Sequence, residues 1–87
     1  MLFRSLAAEW ARGGVRVNAL APGYFESEMT QDLFTDERLH AWATRQTPMR
    51  RTGREGELDG ALLYLASDAS SFVTGSVLAV DGGWTAV

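Results

Sequence analysis

Apolar residues return every four positions from Leu2 through Leu6 to Trp10, with Phe3 and Ala7 beside them. That spacing predicts a helix over Leu2–Arg12, with a stripe wider than a lone surface helix needs. Gly13-Gly14 stops it, because glycine takes positive φ without strain. The next apolar run, Val15-Arg-Val-Asn-Ala-Leu-Ala21, is β-branched at its start and closed by Pro22-Gly23, which predicts a strand. Helix, glycine turn and strand make the return half of a βαβ unit.

The pattern weakens from Tyr24 to about Arg54. Glu26, Ser27, Glu28 and Thr30 read as an irregular or lightly helical loop. Asp36-Glu37 suits a first helical turn, where acids oppose the positive end of the dipole. Leu39, Trp42, Ala43 and Gln46 then share one face, and Thr47-Pro48 ends that helix. A third helix is predicted over Glu57–Ala66, with Leu58, Ala61, Leu62 and Leu65 at helical spacing and a capping box over Thr52-Gly-Arg-Glu55. Asp68-Ala-Ser-Ser71 is turn chemistry. Val77-Leu-Ala-Val80 is a second apolar strand, entered through Gly75 and left through Asp81-Gly82-Gly83.

Two strands and about three helices therefore predict an α/β fold. Continuous rather than alternating hydrophobicity points to strands covered on both faces, as in a parallel sheet. Two strands are marginal as a sheet of their own, so the organisation reads as part of a larger domain. The chain has 87 residues, which allows one domain at most.

Charge and composition narrow the chemistry. All eight basic residues are Arg, there is no Lys, and eleven acids bring the net charge to −3. The acidic balance argues against nucleic acid as a partner. The missing lysine removes any mechanism that needs its ammonium. With no Cys there is no disulfide framework and no thiolate metal site, and a single His leaves no plausible metal site. The lack of Cys is compatible with a cytoplasmic location. No apolar run reaches the roughly 18 residues of a membrane span, so no membrane is expected as a partner.

The sharpest constellation is Asn18-Ala-Leu-Ala-Pro-Gly23, followed by Ser27 and Met29. It lies where a strand ends and a loop begins, the edge at which open α/β sheets bind ligands. The same residues also make an ordinary strand-ending turn with solvated polar groups. His40 reads as a solvated helix residue. Glu26 and Glu28 read as exposed loop acids, and Trp10 and Trp42 as packing groups. Arg45, Arg50, Arg51 and Arg54 form a basic cluster without interleaved aromatics, and Ser70-Ser71 lacks a nucleophile-elbow context.

Ser5-Leu-Ala-Ala-Glu-Trp-Ala11, Gly14-Val-Arg-Val-Asn-Ala-Leu-Ala-Pro-Gly23 and Thr74-Gly-Ser-Val-Leu-Ala-Val-Asp-Gly-Gly-Trp84 together resemble the C-terminal part of a short-chain dehydrogenase/reductase. Pro48-Met-Arg-Arg-Thr-Gly53 and Ala61-Leu-Leu-Tyr-Leu-Ala-Ser-Asp68 are also in pattern, so the resemblance runs from about Leu2 to the end. It implies that residues 1–87 are the C-terminal segment of a Rossmann-like domain, incomplete as an independent unit, that uses NAD or NADP. Pro22 and Gly23 would lie against the nicotinamide ring, and the Phe25 backbone N–H would meet the carboxamide. Ser27 stands where the family usually has Thr; it keeps the hydroxyl that fixes the carboxamide. Backbone around Met29 would approach the diphosphate, and residues 24–54 would form the substrate lid.

The resemblance also implies what this stretch lacks. The family's Gly-x-x-x-Gly-x-Gly loop is not found, and its catalytic Tyr-x-x-x-Lys needs a lysine. Tyr24 is followed four residues on by Glu28 and Tyr64 by Asp68, so no catalytic residue is assigned here. Met1 aligns a few residues after that lysine in the family pattern. The expectation is therefore an oxidoreductase segment for alcohol or ketone substrates that is inactive alone. The alternative is a non-catalytic module that assembles with full-length relatives, since the helix Leu2–Arg12, the third helix and the last strand match tetramer-forming elements of the family.

Overall fold

The computed structural model of the chain describes residues 2–25 and 35–86. Helix α1 spans Leu2–Trp10 and tightens into a 3₁₀ turn over Ala11–Gly13. Gly14 follows at φ 80°, the left-handed closure that the paired glycines predict. Strand β1 is Ala19–Pro22, α2 is Glu37–Gln46, α3 is Asp59–Ala66 and β2 is Val77–Val80. A 3₁₀ turn over Asp68–Ser70 leads from α3, and another over Trp84–Ala86 follows β2.

The two strands pair in parallel, with Ala19 opposite Val77 and Pro22 opposite Val80. That is the direction expected of a βαβ arrangement, and both carboxyl ends finish at one edge. The first strand is shorter than the sequence pattern predicts. Val15–Asn18 approaches β2's lead-in through side chains as well as backbone. The Val17 N–H donates to Thr74 Oγ1 at 3.1 Å, Asn18 Nδ2 donates to the Val73 carbonyl at 2.9 Å, and Asn18 Oδ1 accepts from the Ser76 N–H at 3.0 Å. An amide side chain thus does what a ladder rung would do, and regular pairing begins only at Ala19.

Arg16 ties this lead-in to α3. Its guanidinium donates to Ser70 Oγ at 2.8 Å and to the carbonyls of Leu65, Ser67 and Val73 at 3.1–3.3 Å. Two of those acceptors lie at the C-terminal end of α3, where the helix dipole favours a cation. Ser70 is buried beneath the guanidinium.

Helix α2 starts where Asp36 caps it, accepting the N–H groups of Arg38 and Leu39 at 2.9 and 3.3 Å. Asp36 is therefore the cap rather than a first-turn acid, which is the commoner use of an Asp at this position. Thr47 closes the helix, as the Thr-Pro pair predicts. Helix α3 begins two residues later than the pattern predicts, and the capping box over Thr52–Glu55 does not form. Glu57 Oε1 instead accepts the Arg54 N–H at 2.6 Å, so residues 54–57 turn before the helix starts.

The buried core is small. Ala7 and Ala43 are the buried apolar residues among those described, with Thr47 and Ser70 the buried polar ones. Strand β2 also departs from the expectation of cover on both faces: Val77 and Ala79 are exposed, while Leu78 and Val80 are half-buried. The accessible surface is 6561 Å², whereas a compact chain of this mass exposes about 5,000 Å². The radius of gyration, 15.5 Å, likewise exceeds the roughly 12 Å of a compact chain of this length.

Candidate functional site

The site forms where the two strands end together. Pro22 closes β1 and is exposed, and the Gly23 N–H donates to the Val80 carbonyl at 3.0 Å, continuing the parallel ladder by one rung. A Cβ on Gly23 would stand 2.8 Å from Asp81 Cα. The glycine is thus required by the close approach of the two strand ends. The space beside its Cα is taken by Asp81, the residue that follows β2.

Asp81 organises the far side. Its Oδ1 accepts the Gly83 N–H at 3.0 Å, and its Oδ2 accepts the Thr85 N–H and hydroxyl at 3.1 and 2.8 Å. The Thr85 hydroxyl, followed by these amides, holds the carboxyl below its ordinary pKa. It therefore stays ionised at neutral pH and pins the turn after β2. Gly82 and Gly83 take φ of 62° and 96°, where a side chain would be strained. Thr47 and Pro48 pack directly on them, and the Met49 N–H donates to the Gly82 carbonyl at 3.0 Å.

Between these elements opens a cleft of about 350 Å³, lined by Pro22, Gly23, Tyr24, Asp81, Trp84 and Thr85 among others. A flat ring bearing an amide suits this lining of two aromatic rings, the Tyr24 and Thr85 hydroxyls and one committed carboxylate. Among the described residues no cation lines the cleft, so the lining fits the nicotinamide end of a dinucleotide.

Phe25 lies beyond the cleft. It bridges to Gly53 in parallel, and the Gly53 N–H donates to the Tyr24 carbonyl at 2.7 Å. A Cβ on Gly53 would fall 2.3 Å from the Phe25 ring, so the ring lies against bare backbone. A smaller cavity of about 80 Å³ borders Phe25, Met49, Gly53 and Glu57. Of the five residues named from the sequence, Pro22, Gly23 and Phe25 are brought to this end of the sheet. Ser27 and Met29 lie outside the described residues, as do Glu26 and Glu28.

Part of the basic cluster is committed within the chain. Arg51 donates to both carboxylate oxygens of Glu57 at 2.7 and 2.9 Å, and Arg50 donates to the Arg45 carbonyl. The Arg51 hydrogen bond, then the Arg54 amide, pulls the Glu57 carboxyl down to about 2. Among the described residues no group of His, Asp and Glu is placed to hold a metal ion, and no helix is long and apolar enough to cross a membrane. His40 sits half-buried in α2. Tyr24, Trp42 and Trp84 form a three-ring contact that the sequence pattern did not reveal, because it joins positions 24, 42 and 84.

The family described as enoyl-(acyl carrier protein) reductase matches residues 1–85. Gluconate 5-dehydrogenase of Gluconobacter oxydans is 50% identical over 84 residues, covering 97% of this chain and 33% of that protein. Galactitol 2-dehydrogenase (L-tagatose-forming) of Cereibacter sphaeroides is 55% identical over 84 residues, with the same coverage. The crystal structure of a gluconate 5-dehydrogenase from Burkholderia cenocepacia in complex with NADP and tartrate superposes with a TM-score of 0.95 and 47% identity, over 100% of this chain and 34% of that one. The chain thus spans about a third of the length of the relatives it matches.

Proposed function

The chain belongs to the short-chain dehydrogenase/reductase family, and from that premise we propose that it forms the nicotinamide-facing wall of an NAD(P)-dependent oxidoreductase acting on a polyol or sugar-acid hydroxyl. The bound dinucleotide supplies the hydride chemistry. Pro22 and Gly23 present the strand end to the ring, and the Phe25 backbone together with Ser27 holds the carboxamide. Met29 marks the approach to the diphosphate, and residues 24–54 form the substrate lid. The substrate class follows from relatives named for gluconate and galactitol.

One observation carries this reading. The parallel pair puts Pro22-Gly23 and Asp81 at a single sheet edge, the edge where open α/β sheets bind nucleotides. The proton-transfer pair and the phosphate grip are then supplied by residues other than these 87, so this stretch by itself neither grips the cofactor nor turns over. A titration of NADPH into the 87-residue chain, followed by nucleotide fluorescence, is expected to show no saturable binding at micromolar concentrations. Micromolar affinity would overturn the reading.

A second reading is favoured by the open apolar side chains of α1, α3 and the turn beyond α3. Leu63 is 68% exposed, Leu2 and Leu62 more than half, and Phe72 fully. Surface of that kind marks an interaction site, which supports an assembly role with another copy or a longer relative. Sedimentation of the chain at rising concentration is expected to show oligomers. A monodisperse monomer that melts cooperatively would argue against this second reading.

A further inference from the structure

Three segments remote in sequence meet in one ring cluster. Tyr24 follows β1, Trp42 sits in the middle of α2, and Trp84 opens the turn after β2. Their ring centroids lie 5.9 Å apart for Tyr24–Trp42, 5.0 Å for Tyr24–Trp84 and 6.2 Å for Trp42–Trp84, and every pair is edge-to-face. Aromatic quadrupoles favour that geometry over flat stacking, so the rings are oriented as well as packed.

The base beneath Trp84 is stiff. Asp81 holds the turn by three hydrogen bonds, and Gly82 and Gly83 receive Thr47 and Pro48. The C-terminal end of α2 is therefore seated on the turn after β2. The middle of the helix carries Trp42, which is still 42% exposed. Ala43 beside it is buried but carries only a methyl group. Beyond that end, the contacts of the Trp42 ring with Tyr24 and Trp84 join the helix to the strand ends.

We propose that Trp84 is a positioning residue that sets the orientation of α2 against the carboxyl ends of β1 and β2. Tyr24 and Trp84 also line the cleft at those ends, so an occupant of the cleft touches the rings that hold α2. The assignment rests on ring geometry and does not depend on the hydride-transfer reading.

The test is site-resolved limited proteolysis of the 87-residue chain with trypsin, read by mass spectrometry. Arg38 and Arg45 report on α2, while Arg12 and Arg16 report on the rest of the chain. Trp84→Ala is expected to speed cleavage at Arg38 and Arg45 by about tenfold, as local opening of one element does. Arg12 and Arg16 are expected to change by less than about twofold, within surface-level effects. Trp84→Phe, which keeps an aromatic edge, is expected to stay near the parent pattern, and circular dichroism of the parent is expected to carry a coupled Trp42–Trp84 band that Trp84→Ala removes. Unchanged cleavage at Arg38 and Arg45 would overturn the assignment. So would an equal rise at all four sites, which would make Trp84 a general stability residue, or a Trp84→Phe chain that behaves like Trp84→Ala.

Discussion

The seam where the strands end and the outer faces of α1 and α3 reach opposite states within one short chain. At the seam, Gly23 backs onto Asp81 and Thr47 is buried on Gly82, and at the other end of the strands Asn18 and Arg16 tie the lead-ins together. Among the described residues, no buried side-chain nitrogen or oxygen lacks a hydrogen-bond partner. On the outer faces, Leu2, Leu62 and Leu63 stand open, as does Phe72 in the turn beyond α3. Helix α3 is apolar on nearly every side, a composition suited to burial. The difference separates what this chain completes by itself from what it offers to another surface. Its own residues are enough to position the strand ends. They are not enough to cover the helices.

Gly82→Ala should disturb the seam most. The added Cβ would sit 2.6 Å from Thr47 Cγ2 at a residue with φ 62°. Left-handed strain and overpacking together cost roughly 2–4 kcal/mol, and the urea midpoint is expected to fall by that cost divided by the denaturant slope. Arg16→Met comes next, removing the donors to Ser70, Leu65, Ser67 and Val73. Hydrogen bonds from a charged group typically carry about 1.5–3 kcal/mol, and hydrogen exchange should show the loss around residues 65–73 first. A comparable substitution on the open face, Leu63→Gln, should change stability by less than about 0.5 kcal/mol. If Leu63→Gln cost as much as Gly82→Ala, the contrast between the regions would fail.

The smallest effect is acid-dependent. Glu57 is held at about 2 by Arg51 and the Arg54 amide, against roughly 4.3 in an unfolded chain. A depressed carboxyl pKa favours the folded state above the unfolded value. That contribution shrinks as pH falls from about 4.3 through about 2. Carboxyl-carbon NMR should show Glu57 titrating at the low end, and Glu57→Gln should flatten the stability change across that window.

Local chemistry was legible in the sequence, and contacts between distant segments were not. Gly14 and Thr47 stop their helices where the pattern places the stops, and the strand-ending Pro22-Gly23 lies at the sheet edge. The late start of β1 was hidden because Val15–Asn18 looks like strand in its hydrophobic pattern, while part of its bonding runs through the Thr74 and Asn18 side chains. Arg16 reads locally as one polar residue in an apolar run; its partners lie 49–57 residues away. The ring cluster at 24, 42 and 84 is invisible to periodicity for the same reason. Gly23 was legible as part of a strand-ending turn, while the Asp81 backbone that requires a glycine there was not.

The most direct test joins the 87 residues behind the upstream two-thirds of the Gluconobacter oxydans gluconate 5-dehydrogenase and follows nicotinamide absorbance with a polyol or sugar-acid substrate. The joined protein is expected to transfer hydride while the 87-residue chain stays at background. A well-folded joined protein that binds no dinucleotide, or steady turnover by the 87 residues alone, would contradict the assignment of this chain as one wall of that site.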